Sequence, residues 1–265
     1  MSIWTLFLIG LVVSSIGFHK FVWFISLGYG FSMAAIGVAL TVFAAATPAT
    51  SPVLFLMAGL MVFYGMRLGL YLLIRERRSK AYNHVMKTQV NDGSGLSLPI
   101  RILIWAVCAL LYAAEASPIF FRIANGAAAD VSTYIGAVLM LSGIVLESAA
   151  DLQKSAQKKA DPRRFCDKGL YSFVRCPNYL GEVLTWTGVL ISGLTALEGP
   201  FQWIFALAGY LGIVYVMFGG ARRLELRQNR NYGKDPEYQA YVKKTPILLP
   251  FIPLYSVANV TWLKG

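Results

Sequence analysis

RRFCDKGLYSFVRCPNYLGE, residues 163–182, is the most informative stretch of the chain. It lies between two long apolar runs and carries charged, aromatic and amide side chains at a density unusual for a membrane loop. Asn178 and Glu182 are four residues apart at the start of the next run, so both project from one helix face. Polar side chains are costly at the edge of a bilayer helix unless they bind something. The stretch therefore indicates a ligand site of the kind a membrane enzyme has.

The composition is that of an integral membrane protein. The 265 residues are 57% hydrophobic and 14% charged, with a mean hydropathy of +0.57, whereas soluble domains carry about a quarter charged residues. The first apolar run begins at Ile3 without a basic segment or a small-residue cleavage site, which favours a membrane span over a signal peptide. We expect one domain, 1–265, with its motif region at 150–255.

Seven apolar runs come close to the ~20 residues that a membrane helix needs. The predicted fold is therefore all-α, with about seven transmembrane helices. We place the runs at 3–18, 22–46, 52–75, 99–122, 131–151, 178–197 and 201–220.

The formal net charge is +11, and most of the positive charge lies in the loops after the third, fifth and seventh runs. The loop near 47–51 carries no charge, and the loop near 123–130 carries only Asp130. The positive-inside rule makes the three basic loops cytoplasmic. We therefore expect the N-terminus outside and the C-terminus in the cytoplasm. The basic residues are Arg75, Arg77, Arg78, Lys80 and Lys87, then Lys154, Lys158, Lys159, Arg163, Arg164 and Lys168, then Arg222, Arg223, Arg227 and Arg230.

The sequence also argues against a metal site and a nucleic-acid site. The cysteines, Cys108, Cys166 and Cys176, lack metal-ligand spacing, and the only histidines are His19 and His84. We expect no metal. A nucleic-acid partner is not expected either, because no soluble basic domain is present.

A polar stripe runs down the third apolar run. Tyr64, Arg67, Tyr71, Arg75 and Arg78 are spaced by three or four residues, so they share one helix face. The two arginines nearest the loop could simply snorkel to the interface, but Arg67 lies two turns deeper, where an unpaired charge is costly. The stripe therefore suggests the wall of a polar cavity, and its arginines suit phosphate groups.

Few acidic side chains fall at membrane depth. Glu147 and Asp151 are i and i+4 on the fifth run, so they share a face and repel each other unless cations or ligand groups intervene. Pairing with a basic residue of another span is the alternative. Glu115 lies deeper, in the fourth run, where it could line the cavity or serve a helix–helix hydrogen bond.

Taken together, these segments resemble the steroid 5α-reductase family, including its bacterial members. GLYSFVRCPNYLGE at 169–182 is similar to the family pattern G-L-[YF]-x-[YF]-x-R-x-P-N-Y-x-G-E, and YGMRLGLYLLIRERR at 64–78 and TPILLPFIP at 245–253 add to the likeness. The resemblance covers about three quarters of the chain. It implies about seven membrane helices around a cytoplasm-facing cavity that holds the cofactor NADPH, and a location in a bacterial inner membrane. It also implies reduction of a carbon–carbon double bond conjugated to a ketone. The activity expected is that of a 3-oxo-5α-steroid 4-dehydrogenase.

The resemblance also assigns roles to residues. Tyr64 matches the tyrosine that hydrogen-bonds the substrate ketone, and Asn178 and Glu182 match the pair beside the nicotinamide. A phenol has a reference pKa of ~10 and so can donate to a developing enolate at neutral pH. The expected cofactor contacts are Arg67, Tyr71, Arg75, Arg78, Glu147, Asp151, Lys158, Asn178, Glu182, Arg222, Arg223 and Tyr232.

One departure concerns the ketone. Steroid-reducing members carry a Gln-Glu pair on the second span, whereas that span has no acid here and offers only Ser26, Tyr29 and Ser32. Glu115 is therefore the candidate acid, catalytic together with Tyr64. We expect a small lipophilic substrate, steroid-like or another enone, that enters from the membrane lipid.

Two alternatives stay open. Membrane methyltransferases that act on isoprenylcysteine or phospholipid share much of the R-x-P-x-Y-x-G-E core and use S-adenosylmethionine. That cofactor has no phosphate, so the arginine stripe of 64–78 favours the reductase. A non-catalytic lipid-binding relative would explain the missing acid on the second span.

Overall fold

The computed structural model describes residues 1–48, 50–78, 93 and 95–263. Within these ranges the chain forms helices and turns and no strand, so the all-α prediction is confirmed. Short 3₁₀ segments lie at Ser15–Phe18, Phe21–Phe24 and Gly169–Ser172. The α-helices are α1 (Ile3–Ser14), α2 (Leu27–Ala46), α3 (Pro52–Arg78), α4 (Leu98–Ala124), α5 (Val131–Ala160), α6 (Pro177–Gly193), α7 (Gly199–Tyr232) and α8 (Pro236–Lys244).

Five of the predicted membrane spans are confirmed as helices long and apolar enough to cross a bilayer. They are Phe21–Ala46, Pro52–Arg78, Leu98–Ala124, Val131–Ala160 and Gly199–Tyr232. The first and sixth predicted spans are shorter: the first is the apolar segment Ile3–Phe18, and α6 has 17 residues. The count of seven therefore stays a prediction.

From the sequence we predict that the polar tail 222–241 forms an amphipathic helix or a short helix pair with a break at Asp235-Pro236, and the structure differs from this in part. α7 does not end near residue 220 but continues to Tyr232, because residues 221–232 contain no proline or glycine and several good helix formers. The expected break at Asp235-Pro236 is present, and the Asp235 carboxylate caps α8 by accepting from the Glu237 amide across 2.9 Å. Lys80, Lys87 and His84 lie outside the described residues.

The chain folds into two compact units. One contains residues 1–137 and 189–210, and the other contains residues 138–188 and 211–265. In the first unit, α2 and α3 cross at glycines. A Cβ added to Gly65 would lie 2.4 Å from the backbone nitrogen of Ala34, and one added to Gly30 would lie 2.8 Å from the nitrogen of Gly69. Such small residues let membrane helices approach closely.

A buried arginine joins several segments at another place in the first unit. Arg122, near the end of α4, is only 1% exposed. Its guanidinium donates to the Ser192 carbonyl across 2.6 Å and to the Thr195 hydroxyl, and it lies 3.5 Å from the Asp130 carboxylate. Asp130 in turn accepts from the Thr133 amide and caps α5. These bonds satisfy the guanidinium without water, as a buried charge requires.

The second unit is built on a close crossing of α5 and α6. A Cβ on Gly143 would lie 2.4 Å from the backbone nitrogen of Thr185, and one on Gly181 would lie 2.6 Å from that of Glu147. Side chains at these two positions would push the helices apart. The glycine of the N-Y-L-G-E sequence therefore sets the distance between the helices that carry the predicted acidic residues.

Candidate active site

The stripe of the third run is present as one face of α3. All five of its residues lie on this helix, and the Arg67 guanidinium lies 6.0 Å from the centroid of the Tyr64 ring. The Arg75 guanidinium lies 5.3 Å from the centroid of the Tyr71 ring. Arg78 is exposed at the end of the helix. The stripe is thus a row of alternating phenols and guanidinium groups, deepest at Tyr64.

Tyr64 belongs to a cluster of buried hydroxyl groups. Its side chain is fully buried, and its hydroxyl donates to the hydroxyl oxygen of Tyr29 on α2 across 3.0 Å. The Tyr29 ring packs against the ring of Tyr112 on α4, with centroids 5.2 Å apart, and the Tyr112 hydroxyl donates to the Phe24 carbonyl. The Ser32 hydroxyl, one turn after Tyr29, is buried and has no hydrogen-bond partner among the described residues. The sequence did not predict this cluster, because it joins three separate helices.

Glu115 lies on α4, three residues after Tyr112, and is 3% exposed. Its helix packs tightly there against α7, since a Cβ on Gly209 would lie 2.5 Å from the backbone nitrogen of Glu115. The carboxyl group therefore belongs to the same unit as Tyr64. Its predicted catalytic role stays a prediction.

The predicted residues of α5 are found in the second unit. Glu147 and Asp151 are both buried, with 4% and 8% exposure, on one face of the helix as their spacing predicted. Lys158, two turns further on, donates from its ammonium to the Arg164 carbonyl and, across 3.0 Å, to the hydroxyl of Tyr232. Lys158 and Tyr232, which the sequence predicted to bind one ligand, are thus in direct contact.

Asn178 and Glu182 occupy the first turns of α6. The carboxamide oxygen of Asn178 is buried and accepts no hydrogen bond from the described residues. Glu182 is 4% exposed, and one carboxylate oxygen accepts from the Trp186 indole across 3.0 Å. The neighbouring Gly181 contacts the backbone of Glu147. Two buried carboxylates and an amide are therefore concentrated where α5 and α6 meet.

Arg222 and Arg223, two predicted cofactor contacts on α7, have different surroundings. Arg222 donates to the Ala258 carbonyl across 3.0 Å, and its terminal nitrogen lies 3.4 Å from the Leu263 carbonyl, so it holds the C-terminal segment on α7. Arg223 is exposed. Of the two arginines predicted as alternatives, Arg222 has a structural task and Arg223 is accessible to a ligand.

Arg175 and Glu225 form an ion pair that the sequence did not predict. Arg175, the arginine of the R-C-P-N sequence, is 1% exposed and lies 2.8 Å from the Glu225 carboxylate. The other carboxylate oxygen accepts from the Val257 amide across 2.8 Å, and the Arg175 guanidinium also donates to the Tyr255 carbonyl. The amide of Cys176 donates to Ile247 across 3.0 Å. These bonds fasten the motif loop to α7 and to the C-terminal segment. No local sequence signal joins the two residues, because Glu225 lies among arginines 50 residues after Arg175.

The cysteines of this unit do not act as nucleophiles. Burial raises the pKa of the Cys176 thiol to about 12 and also raises the pKa of Cys166. A thiol with a raised pKa stays protonated at neutral pH and is unreactive. Among the described residues, no group of histidine, cysteine and acidic side chains could hold a metal ion. The predicted site residues are phenols, carboxylates, an amide and basic groups.

A cavity of about 370 Å³ opens in the second unit, but it is not formed by the predicted site residues. Glu225 contributes one of its walls and is already bonded to Arg175. The other lining residues are Asn229, Val242, Lys243, Tyr255 and Ser256.

Residues 6–245 match the family described as "Protein of unknown function (DUF1295)". The chain belongs to the DUF1295 family. Among curated proteins, this DUF1295 chain is 31% identical over 121 residues to the very-long-chain enoyl-CoA reductase of Dictyostelium discoideum, covering 45% of this chain and 36% of that protein. It is 29% identical over 152 residues to the "Putative enoyl-CoA reductase" of Trypanosoma brucei brucei (strain 927/4 GUTat10.1), covering 56% of this chain and 42% of that protein.

The DUF1295 chain thus spans about two fifths of the length of these relatives. No solved structure matches it significantly. The relatives are both named for reduction of a carbon–carbon double bond conjugated to a carbonyl.

Proposed function

We propose that this protein is a membrane-embedded oxidoreductase that reduces a carbon–carbon double bond conjugated to a carbonyl group, with NADPH as reductant. The observation that carries the proposal is the buried, hydrogen-bonded phenol of Tyr64 at the deep end of the arginine stripe. The names of the two relatives support an enoyl thioester as substrate. The likeness to steroid 5α-reductases supports an enone such as a 3-oxo-Δ4 steroid. In both substrates, the double bond that is reduced is conjugated to a carbonyl group, whose oxygen the protein can contact.

The residues of α6 fit a nicotinamide. A primary carboxamide has two donor hydrogens and one acceptor oxygen. The buried Asn178 oxygen, which accepts no hydrogen bond from the described residues, would receive one donor, and the Glu182 carboxylate would receive the other. The guanidinium groups of α3 are by themselves suited to phosphate groups, because planar guanidinium groups bind phosphate oxygens in pairs.

The protein's own groups act mainly on the carbonyl oxygen. When bound, NADPH supplies a hydride to the β-carbon of the double bond. As that carbon is reduced, negative charge develops on the carbonyl oxygen, and the Tyr64 phenol donates to it. Burial of Tyr64 excludes competing water and strengthens this hydrogen bond. A proton from water then completes the α-carbon, so the substrate gains two hydrogens and NADPH becomes NADP⁺.

Membrane orientation follows the charge pattern. With the basic loops in the cytoplasm, the arginine end of α3 and the motif at 163–182 lie on the cytoplasmic side, where NADPH is present. Labelling of introduced cysteines from each side of sealed vesicles tests this orientation. Labelling of the Arg78 end of α3 only from outside would overturn it.

The first experiment is a ligand titration by thermal unfolding of the detergent-purified protein. A ligand that binds only the folded state raises Tm by mass action. We expect NADPH to raise Tm and S-adenosylmethionine to leave it unchanged. Stabilisation by S-adenosylmethionine alone would contradict the reductase proposal.

The second experiment measures NADPH oxidation with 2-enoyl-CoA thioesters of several chain lengths and with a 3-oxo-Δ4 steroid. Tyr64→Phe should lower kcat by roughly 10²–10⁴-fold, the usual contribution of a proton donor, while NADPH affinity stays near wild type. Tyr134→Phe, an exposed tyrosine on α5, is the matched control. Equal kcat in the Tyr64 and Tyr134 variants would remove Tyr64 from the mechanism.

The third experiment addresses the cofactor. Glu182→Ala should weaken NADPH roughly 10- to 100-fold, the effect of losing one charged hydrogen bond. Trp186→Phe is the comparison variant, because it removes the indole donor to Glu182 but keeps the carboxylate, and its Tm shows how much the loss of buried volume contributes. Unchanged NADPH affinity in Glu182→Ala would exclude this carboxylate as a cofactor ligand.

A further inference from the structure

The hydrogen bond between Tyr64 and Tyr29 raises a question that the proposed reaction leaves open. Tyr64 donates its only hydroxyl proton to Tyr29 across 3.0 Å, yet a phenol that assists a substrate must donate that proton to the carbonyl oxygen. A hydroxyl has one donor hydrogen and can accept two hydrogen bonds. The pair can therefore reverse: Tyr29 turns its hydroxyl to donate to Tyr64, and Tyr64 then donates to the substrate.

The need for such a donor follows from burial. Tyr64 is 0% and Tyr29 is 7% exposed. As Tyr64 gives up its proton to the substrate oxygen, its own oxygen gains negative charge in a region of low dielectric constant, where a buried charge without a hydrogen bond is costly. A donor within 3 Å offsets this cost.

Other hydroxyl groups nearby are less suitable. Tyr112 packs against the Tyr29 ring, but its hydroxyl donates to the backbone carbonyl of Phe24. The close approach of α2 to α3 at Gly30 and Gly65 instead brings the residues next to these glycines together. Tyr29 and Tyr64 are those residues, so the glycine crossing sets their distance.

We propose that Tyr29 is a positioning residue for Tyr64, donating to the Tyr64 oxygen while Tyr64 donates its proton to the carbonyl oxygen of the substrate. This inference rests on the proposed reductase function. It means that α2, which has no acidic residue, supports the ketone-binding tyrosine through Tyr29 instead. The Tyr64 proton moves onto the substrate oxygen as the β-carbon is reduced, and the charge left on Tyr64 is shared through the Tyr29 hydrogen bond. The same proton returns to Tyr64 as a proton from water reaches the α-carbon and the carbonyl re-forms. No additional oxidant or reductant is needed.

Tyr29→Phe tests the proposal, because it deletes the hydroxyl and retains the ring that packs against Tyr112. We expect kcat to fall roughly 10- to 100-fold, the value of one hydrogen bond to a developing charge, with KM for NADPH unchanged. The alkaline limb of the kcat–pH profile should move to higher pH, because the deprotonated form of Tyr64 loses a donor. Arg67 and Glu115, the nearby charged residues of α3 and α4, are unchanged in this variant, so they do not cause the movement.

Tyr112→Phe is the matched control. It also deletes a buried hydroxyl beside Tyr29, but one that bonds to Phe24 rather than to Tyr64. A purely structural effect would lower Tm in both variants without moving the pH profile. The proposal is wrong if Tyr29→Phe keeps the wild-type kcat and pH profile, or if Tyr112→Phe moves that profile equally.

A second measurement needs neither substrate nor NADPH. With 3-fluorotyrosine at position 64, the ¹⁹F chemical shift of the ligand-free protein reports on the hydrogen bond at that phenol. Tyr29→Phe should change this shift, and Tyr112→Phe should change it much less. An unchanged shift in Tyr29→Phe would overturn the pair itself. A wild-type protein inactive on every enone and enoyl thioester would instead overturn the proposed function, while leaving the ¹⁹F result intact.

Discussion

Glu225→Ala should destabilise the second unit strongly, because it leaves a buried guanidinium without its counter-ion. Arg175 and Glu225 are 1% and 3% exposed, and their charged atoms are 2.8 Å apart. Removing one member of a buried ion pair costs about 3–5 kcal/mol. The variant also leaves the Val257 amide without its acceptor. At about 2–4 °C per kcal/mol for a protein of this size, Tm should fall on the order of 10 °C.

A thiol-reactive fluorescent dye suits this measurement in detergent. Cys108, Cys166 and Cys176 are free and buried, and burial raises the pKa of the Cys176 thiol to about 12. The dye therefore reports unfolding rather than surface labelling. Cys176 follows Arg175 directly, so it senses the loss of the ion pair.

Two control variants make the Glu225 result specific. Glu237→Ala breaks an exposed ion pair with Arg164, in which the carboxylate is 66% exposed, and such pairs contribute at most about 1 kcal/mol. The double variant Arg175→Met with Glu225→Leu removes both charges and should recover most of the lost Tm. If Glu225→Ala lowered Tm by no more than Glu237→Ala does, the argument would be refuted. It would also be refuted if the double variant had a Tm no higher than that of Glu225→Ala.

Two further predictions concern packing and capping. Gly181→Ala should cost about 1–3 kcal/mol, because its Cβ would lie 2.6 Å from the Glu147 nitrogen. Gly59→Ala, where a Cβ meets no atom within 4 Å, should be neutral or stabilising by up to about 1 kcal/mol. Thermal unfolding compares the two glycine variants, and equal Tm values would contradict a tight crossing of α5 and α6 at Gly181. Hydrogen bonds from Thr195 and other hydroxyl groups hold the pKa of Asp130 below its usual range. The stability that Asp130 contributes is therefore complete above the ordinary carboxyl pKa of ~4 and is lost as pH falls below it. Asp130→Asn should flatten the acid limb of a curve of Tm against pH. An acid limb unchanged in this variant would mean that other groups cause the loss of stability.

Hydropathy and spacing predicted much of the helical framework, because both are local properties. The five long helices and the face that carries Tyr64 through Arg78 follow from apolar run length and from the helical repeat. The end of α7 was placed too early, because the end of an apolar run marks the membrane boundary, not the end of the helix. Residues 221–232 are polar but remain helical.

The contacts between elements could not be predicted in the same way. Tyr29 lies 35 residues before Tyr64, and Arg175 lies 50 residues before Glu225. No periodicity connects residues so far apart along the chain. A glycine can be recognised in the sequence, but which helix it contacts depends on how the chain packs. For this reason the sequence identified many candidate side chains but missed the donors and counter-ions that hold them.

The motif at 169–182 divides into residues that hold the fold and residues left for a ligand. Gly169 has a positive φ of 65° at a turn, the Tyr171 hydroxyl donates to the Ala150 carbonyl across 3.3 Å, and Arg175 binds Glu225. Gly181 sets the α5–α6 distance. These contacts hold the fold and do not by themselves require a particular reaction.

Our proposal assigns the chemistry to the pair Asn178 and Glu182 of the same motif. The buried Asn178 oxygen accepts nothing from the described residues, and Glu182 keeps a buried carboxylate one turn later. Asn178→Leu tests this division, because it retains the approximate size of the side chain but removes the amide without adding a charge beside Glu182. Tm should stay near wild type in the absence of ligand, while the rise in Tm with NADPH should diminish. A large fall in Tm without ligand would instead place Asn178 among the residues that hold the fold, and the motif would then carry no information about the cofactor beyond Glu182.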